Sequence, residues 1–218
     1  IEAAKIVANL TRELKAAQID IKFFDVGGGI GIVYGDESEP DLYEYAQGIL
    51  ANLSGLDVTV VCEPGRFIVG NAGYFLTSVL YEKFNKEKRF VIVDGAMNDL
   101  IRPSLYQARH KIFAISGGKT LCECKTEQLE ELKFSPCDVV GPICESGDFL
   151  AKDRNLPPLN PGDLVVIKSA GAYGFAMSSN YNTRGRAAEV AVKGGEDFLI
   201  RRRESFEDIV ALEREFLG

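Results

Sequence analysis

Through residue 72, helical and strand periodicities alternate twice and then give way to strands alone, and that change constrains the fold more than any other feature of the chain. Ala3, Ile6, Val7, Leu10 and Leu14 form a stripe at helical spacing. An apolar strand from Ile19 to Val26 follows and stops at Gly27-Gly28-Gly29. A second helix opens after Pro40, with Leu42, Tyr45, Ala46, Ile49, Leu50 and Leu53 recurring every three or four residues. Val58 to Cys62 then reads as a short buried strand that ends at Glu63-Pro64-Gly65-Arg66. This is the rhythm of parallel α/β structure, in which functional groups collect in the loops after strands. Two such units cannot close a barrel or cover both faces of a sheet. Together with a first residue, Ile1, already inside a helical pattern, this leads us to expect a piece of a longer polypeptide.

From residue 73 to residue 218 the expectation is a mainly antiparallel β domain with a C-terminal helix. Its strands are Tyr74 to Phe84, Arg89 to Asp94, Lys111 to Ile115, and Leu164 to Lys168 after the turn Pro161-Gly162-Asp163. Leu150 to Pro161 carries three prolines and reads as an exposed loop. Ser205 with Asp208 forms a capping-box pattern before a short helix whose apolar face would be Phe206, Ile209, Val210 and Phe216.

A net charge of −7 opposes non-specific binding to nucleic acid or anionic membrane. No uncharged apolar run reaches membrane-spanning length. Five cysteines, an odd number spread widely, fit reduced thiols in a cytoplasm better than a disulfide framework. Cys122, Cys124, Cys137 and Cys144 lack the paired C-x-x-C spacing of a zinc site, so no metal is expected. The single histidine, His110, lies between Arg109 and Lys111 and reads as a surface residue.

Several segments could carry chemistry. Gly27 to Gly29 is either a bare tight turn or a cradle of backbone N–H groups for a phosphate. Glu63 and Arg66 are either a local ion pair or two separate sites, for a cation and for an anion. Arg102 and Tyr106 offer a guanidinium with a phenol, which suits a carboxylate. Gly141 to Asp148 sets the thiol of Cys144 beside Glu145 in a polar turn, whereas a cysteine is more often a small buried hydrophobe. Tyr173, among small residues after a strand, is either a packed turn residue or part of a site.

In their order, GGG-I-G, EPGR, DGAMNDLIRPSLY, GPICESGD, GAYG and SNYNTRGRAAEV, these segments resemble the C-terminal half of the diaminopimelate decarboxylases over nearly the whole chain. The resemblance implies fold-type III architecture: the C-terminal part of an alanine-racemase-like (β/α)8 barrel over residues 1–72, followed by an antiparallel β-barrel domain. It implies pyridoxal 5'-phosphate as cofactor and homodimers with shared active sites. The implied reaction converts meso-2,6-diaminopimelate to L-lysine and carbon dioxide. Gly28 and Gly29 would hold the cofactor phosphate, and Glu63 would face the pyridine nitrogen, with Pro64, Gly65 and Arg66 beside it. Arg66, Arg102 and Tyr106 would bind substrate, and Glu145 would take its distal ammonium. Cys144 would donate a proton in the partner subunit's site, and Tyr173 would touch both cofactor and substrate. Ornithine- and arginine-type decarboxylases resemble the chain at EPGR and GAY, but an amine-only distal end has no use for Arg102 with Tyr106. The resemblance also implies a Schiff-base lysine in a preceding half, and no lysine here lies in a YAxKAN-like segment. The expectation is that this polypeptide is inactive alone. The alternative from another class is a non-catalytic regulatory homologue that kept the scaffold.

Overall fold

The computed structural model describes residues 1–86, 88–121 and 133–216, and divides into two compact units, Ile1–Gly70 and Asn71–Gly218. The first unit runs α1 (Glu2–Ala16), β1 (Phe23–Asp25), α2 (Leu42–Leu53), β2 (Thr59–Val61) and α3 (Gly65–Val69). β1 and β2 pair in parallel, Phe23 with Thr59 through Asp25 with Val61. Pro40 lies outside α2: Asp41 is the N-cap, and its carboxylate accepts the Glu44 N–H at 2.9 Å. The C-terminal turn of α1 stabilises that of α2, because Arg12 donates to the Asn52 carbonyl at 2.7 Å and to the Ser54 carbonyl at 3.2 Å.

The expected apolar stripe of α1 is not its buried face. Ala4, Ala8 and Thr11 are buried, while Ile6 and Leu10 are 62% and 51% exposed. Ala4 and Ala8 pack with Phe24, Ile49 and Leu53 into a small core. Small residues win that interface because they let helix backbone approach its neighbours closely.

The second unit is built on a seven-stranded sheet in the order β6-β5-β9-β3-β4-β7-β8. Its strands are β3 (Phe75–Asn85), β4 (Lys88–Val93), β5 (Ile112–Ser116), β6 (Lys119–Leu121), β7 (Ser135–Val140), β8 (Phe149–Leu156) and β9 (Leu164–Ile167). A separate antiparallel hairpin, β10 (Glu189–Lys193) with β11 (Glu196–Arg201), turns at Gly194 and Gly195, both at positive φ. Among the described residues the unit also holds two short α-helices, α4 (Arg102–Tyr106) and α5 (Phe206–Ile209).

Two expectations are corrected here and one is made more exact. The main sheet is mixed: its pairings are antiparallel except that β4 and β7 pair in parallel, Phe90 with Asp138 through Ile92 with Val140. Leu150 to Pro161 is not an exposed loop: most of it is β8, with Leu150, Ala151, Leu156 and Leu159 in the core. The prolines fall after the strand, and buried Arg89 fastens that end by donating to the Leu156 carbonyl at 2.8 Å and the Pro157 carbonyl at 2.5 Å. Glu82, which pairs with the same guanidinium, also accepts the Leu159 N–H at 2.7 Å. His110 is buried rather than superficial; its Nδ1 lies 2.8 Å from the Lys168 carbonyl, and its own carbonyl accepts from Arg154 at 2.9 Å.

The capping box of α5 forms as expected, with Ser205 accepting the Asp208 N–H and Asp208 accepting the Ser205 N–H. Phe206 and Phe216, placed on its apolar face by the sequence, are exposed.

Candidate active site

In the first unit, parallel pairing brings two loops to one end of the strands. The Glu63 N–H donates to the Gly27 carbonyl at 2.8 Å, and the Val26 N–H donates to the Val61 carbonyl at 2.9 Å. Gly27 and Gly29 have φ of 69° and 89°, in the left-handed region. A Cβ on Gly28 would stand 2.6 Å from the Glu63 carbonyl oxygen, so only glycine allows the loops to meet. A Cβ on Gly27 or Gly29 would meet nothing within 4 Å, which leaves the backbone there open to a ligand. Such a cradle fits a phosphate.

Glu63 is exposed at the end of β2, and Pro64 is the N-cap residue of α3. The Gly65 N–H donates to the Glu63 carbonyl at 2.8 Å. Arg66 lies over the Tyr34 ring at 5.8 Å, and among the described residues it forms no ion pair with Glu63.

The second unit assembles the rest from three connections. Arg102 and Pro103 are buried at the start of α4, which ends at Gln107 in the left-handed conformation. The Arg102 guanidinium lies 5.5 Å from the Tyr106 ring centre and 5.6 Å from that of Tyr173. Tyr173 has a φ of 59° and is 41% exposed, so it is not packed beneath its turn. Two rings, one on the same helix and one distant in sequence, thus share one cationic group.

Cys144 and Glu145 are exposed on a turn whose lower side is held by Asp148. The Asp148 carboxylate accepts the Met97 N–H at 2.7 Å and the Ile143 N–H at 2.6 Å. Burial pushes this carboxyl above the usual carboxylate range, opposed by those two N–H groups and by the positive charge of Arg184. Asp99 accepts the Ala96 N–H at 2.9 Å and a bond from Arg184 at 3.3 Å; Arg184 also donates to the Asp94 carbonyl. Buried Asn98 donates to the Tyr181 carbonyl at 2.8 Å. The segment from Ser179 to Arg184 therefore serves as a strap on the Asp94–Asp99 loop. Asp148 was not singled out from sequence; a carboxylate set directly behind the glycines of a polar turn was the available signal.

Among the described residues no group of three or more His, Cys, Asp or Glu side chains could hold a metal. Cys122 and Cys124, part of the rejected zinc reading, lie outside the described residues. Among those residues, no helix is long and apolar enough to cross a membrane.

The first unit thus offers a glycine cradle on parallel strands, and the second a mixed sheet whose connections carry a buried guanidinium near two phenol rings. The family described as "Pyridoxal-dependent decarboxylase, C-terminal sheet domain" matches residues 17–171, and the chain belongs to that family. Among curated relatives, diaminopimelate decarboxylase of Campylobacter jejuni is 61% identical over 99% of this chain and 51% of its own length. That of Helicobacter pylori is 50% identical over 100% of this chain and 51% of its own. The crystal structure of the Helicobacter pylori enzyme complexed with L-lysine matches with a TM-score of 0.84 at 50% identity, over 99% of this chain and 50% of that one. A lysine/ornithine decarboxylase from Vibrio vulnificus, complexed with putrescine, matches less well, with a TM-score of 0.69 at 25% identity over 85% of this chain and 48% of its own. The chain spans about half the length of the relatives it matches.

Proposed function

We propose that this chain is the C-terminal half of a cytoplasmic diaminopimelate decarboxylase, which converts meso-2,6-diaminopimelate to L-lysine and carbon dioxide once completed by an N-terminal half carrying the cofactor lysine. Residues 1–72 are then the end of an alanine-racemase-like (β/α)8 barrel, and residues 73–218 its β domain. The complete enzyme is a homodimer with shared sites. Gly28 and Gly29 hold the phosphate of pyridoxal 5'-phosphate, with Pro64, Gly65 and Arg66 shaping the adjoining loop. When bound, the cofactor supplies an electron sink for the carbon that loses carbon dioxide. Glu63 keeps a proton on the pyridine nitrogen. Cys144, serving the partner's site, donates a proton to that carbon. Arg66 and Tyr173 orient the substrate, and Glu145 takes its distal ammonium.

The observation that carries this reading is that buried Arg102 has the rings of both Tyr106 and Tyr173 within 6 Å of its guanidinium. Diaminopimelate keeps a carboxylate at its distal end, and a desolvated guanidinium beside a phenol is suited to it. A substrate with only a distal amine would be repelled there. The test is kcat/KM of the complete Arg102→Leu enzyme for meso-diaminopimelate, with cofactor binding followed spectroscopically. Loss of a charged partner from a desolvated carboxylate costs about 2–5 kcal/mol, so a fall of two to three powers of ten is expected at mid-range (about 1.4 kcal/mol per power). A change below about threefold, under 1 kcal/mol, would remove Arg102 from substrate reading.

A further inference from the structure

We infer that Asp148 is a positioning residue whose carboxylate ties the Cys144–Glu145 turn to the segment leading into α4. The inference rests on the proposed roles of Cys144 and Glu145. One oxygen, Oδ1, accepts the Met97 N–H at 2.7 Å, and the other, Oδ2, accepts the Ile143 N–H at 2.6 Å. The side chain is 5% exposed, so water does not compete for these bonds.

Two glycines make room for this arrangement. A Cβ on Gly141 would stand 2.5 Å from Asp148 Oδ2 and 2.6 Å from the Gly95 carbonyl. A Cβ on Gly147 would stand 2.8 Å from Ser104 Oγ, in the middle of α4. The turn carrying the thiol and carboxylate is thereby seated against the helix that carries Arg102 and Tyr106. Its backbone is drawn in further by the bond from the Asp148 N–H to the Glu145 carbonyl at 3.0 Å. Proton donor, ammonium site and carboxylate site thus share one joint, and Asp148 is its pin.

Asparagine at 148 has nearly the same shape but only one acceptor oxygen, so it turns N–H donors toward one of the two backbone amides. The experiment compares Asp148→Asn, Cys144→Ala and the double variant in the complete enzyme. Asp148→Asn keeps the main-chain bond from residue 148 to the Glu145 carbonyl and loosens the Ile143 amide beside Cys144, so it should lower kcat at least about tenfold while KM changes less than about threefold. The double variant should be no more than about twofold slower than Cys144→Ala, because one change already removes what the other disturbs. Equal factors in both backgrounds would overturn the inference, since a general structural role would act independently of the thiol. Amide exchange at Met97 and Ile143 should be about tenfold faster or more in Asp148→Asn, with Val91 and Val139 unchanged. Unchanged exchange would also overturn it. Wild-type turnover in Cys144→Ala would instead defeat the proposed role of the thiol, and Asp148 would then be judged by exchange alone. If Asp148→Asn does not fold, Gly147→Ala loads the same joint: kcat should fall about fivefold or more and recover when Ser104→Ala is added. An unchanged kcat in Gly147→Ala would overturn the inference.

Discussion

The two units hold their candidate residues in opposite ways. In the first, position is set by backbone: a glycine loop and the Glu63 loop are bound through main-chain atoms, over a core of Ala4, Ala8, Phe24, Ile49 and Leu53. Every residue of β2 is exposed, and so is Phe23 in β1. Parallel strands are normally covered on both faces, so these strands alone make a weakly protected platform. In the second unit, buried polar side chains (Asp148, Asp99, Asn98 and Arg89) fix the loops to a core that includes Val91, Val139, Leu150 and Ile167. A backbone cradle requires neighbouring strands to stay in register, whereas side-chain pins carry their own constraint.

This contrast can be broken most decisively by hydrogen exchange on the chain itself. Amides of β4 and β7 should exchange about a thousandfold more slowly than those of β1 and β2, roughly a 4 kcal/mol difference in opening. Comparable protection would show that the first unit is as well supported as the second. Next in size is the cost of a cavity. Leu150→Ala should destabilise by about 2–5 kcal/mol, measured by denaturant unfolding, whereas Leu10→Ala on the exposed side of α1 should stay within about 0.5 kcal/mol. Equal effects would erase the distinction.

A smaller effect should follow from Cys137, whose thiol lies buried and donates to the Arg154 carbonyl at 3.2 Å. Burial pushes it up to about 11. A group raised in the folded state contributes stability below its unfolded value and loses that contribution as pH rises through the folded value. Stability should therefore decline between about pH 9 and pH 11, and Cys137→Ser should change that slope. Peptide mapping after thiol labelling at pH 8 should find Cys62 and Cys144 modified and Cys137 protected. The smallest effect is expected at the capping box: Ser205→Ala should cost about 1 kcal/mol, read from thermal unfolding.

Local signals made much of this architecture legible. The glycine run, the helix start after Pro40, the Pro161-Gly162-Asp163 turn and the Ser205 box each state their geometry within a few residues. Elsewhere a distant partner decided the outcome. Nothing near Leu150 announces that Arg89 and Glu82 will fasten Leu156 to Leu159, and the prolines argued for a loop. His110, flanked by cations, was drawn inside by the carbonyl of Lys168, fifty-eight positions away. The β10–β11 hairpin, by contrast, has a local signal in Lys193-Gly194-Gly195-Glu196. At the site, Arg102, Tyr106 and Tyr173 were legible as types, but their meeting depends on α4 and a residue with positive φ. Asp148 stayed hidden because its partners are main-chain N–H groups, which every residue except proline possesses.

The parallel register of β4 with β7 has a kinetic consequence. A hairpin cannot join parallel neighbours, so the chain must leave β4 and travel far before it returns. Phe90 meets Asp138 only after forty-eight positions, and the Asp94–Asp99 loop, α4 and the β5–β6 hairpin all lie on that excursion. Closing so long a loop costs entropy before contacts repay it. The β3–β4 hairpin should accordingly form early and the β4–β7 seam late, so the candidate residues on the excursion take their places near the end of folding. Refolding experiments should then find weakened β7 contacts changing mainly the unfolding rate.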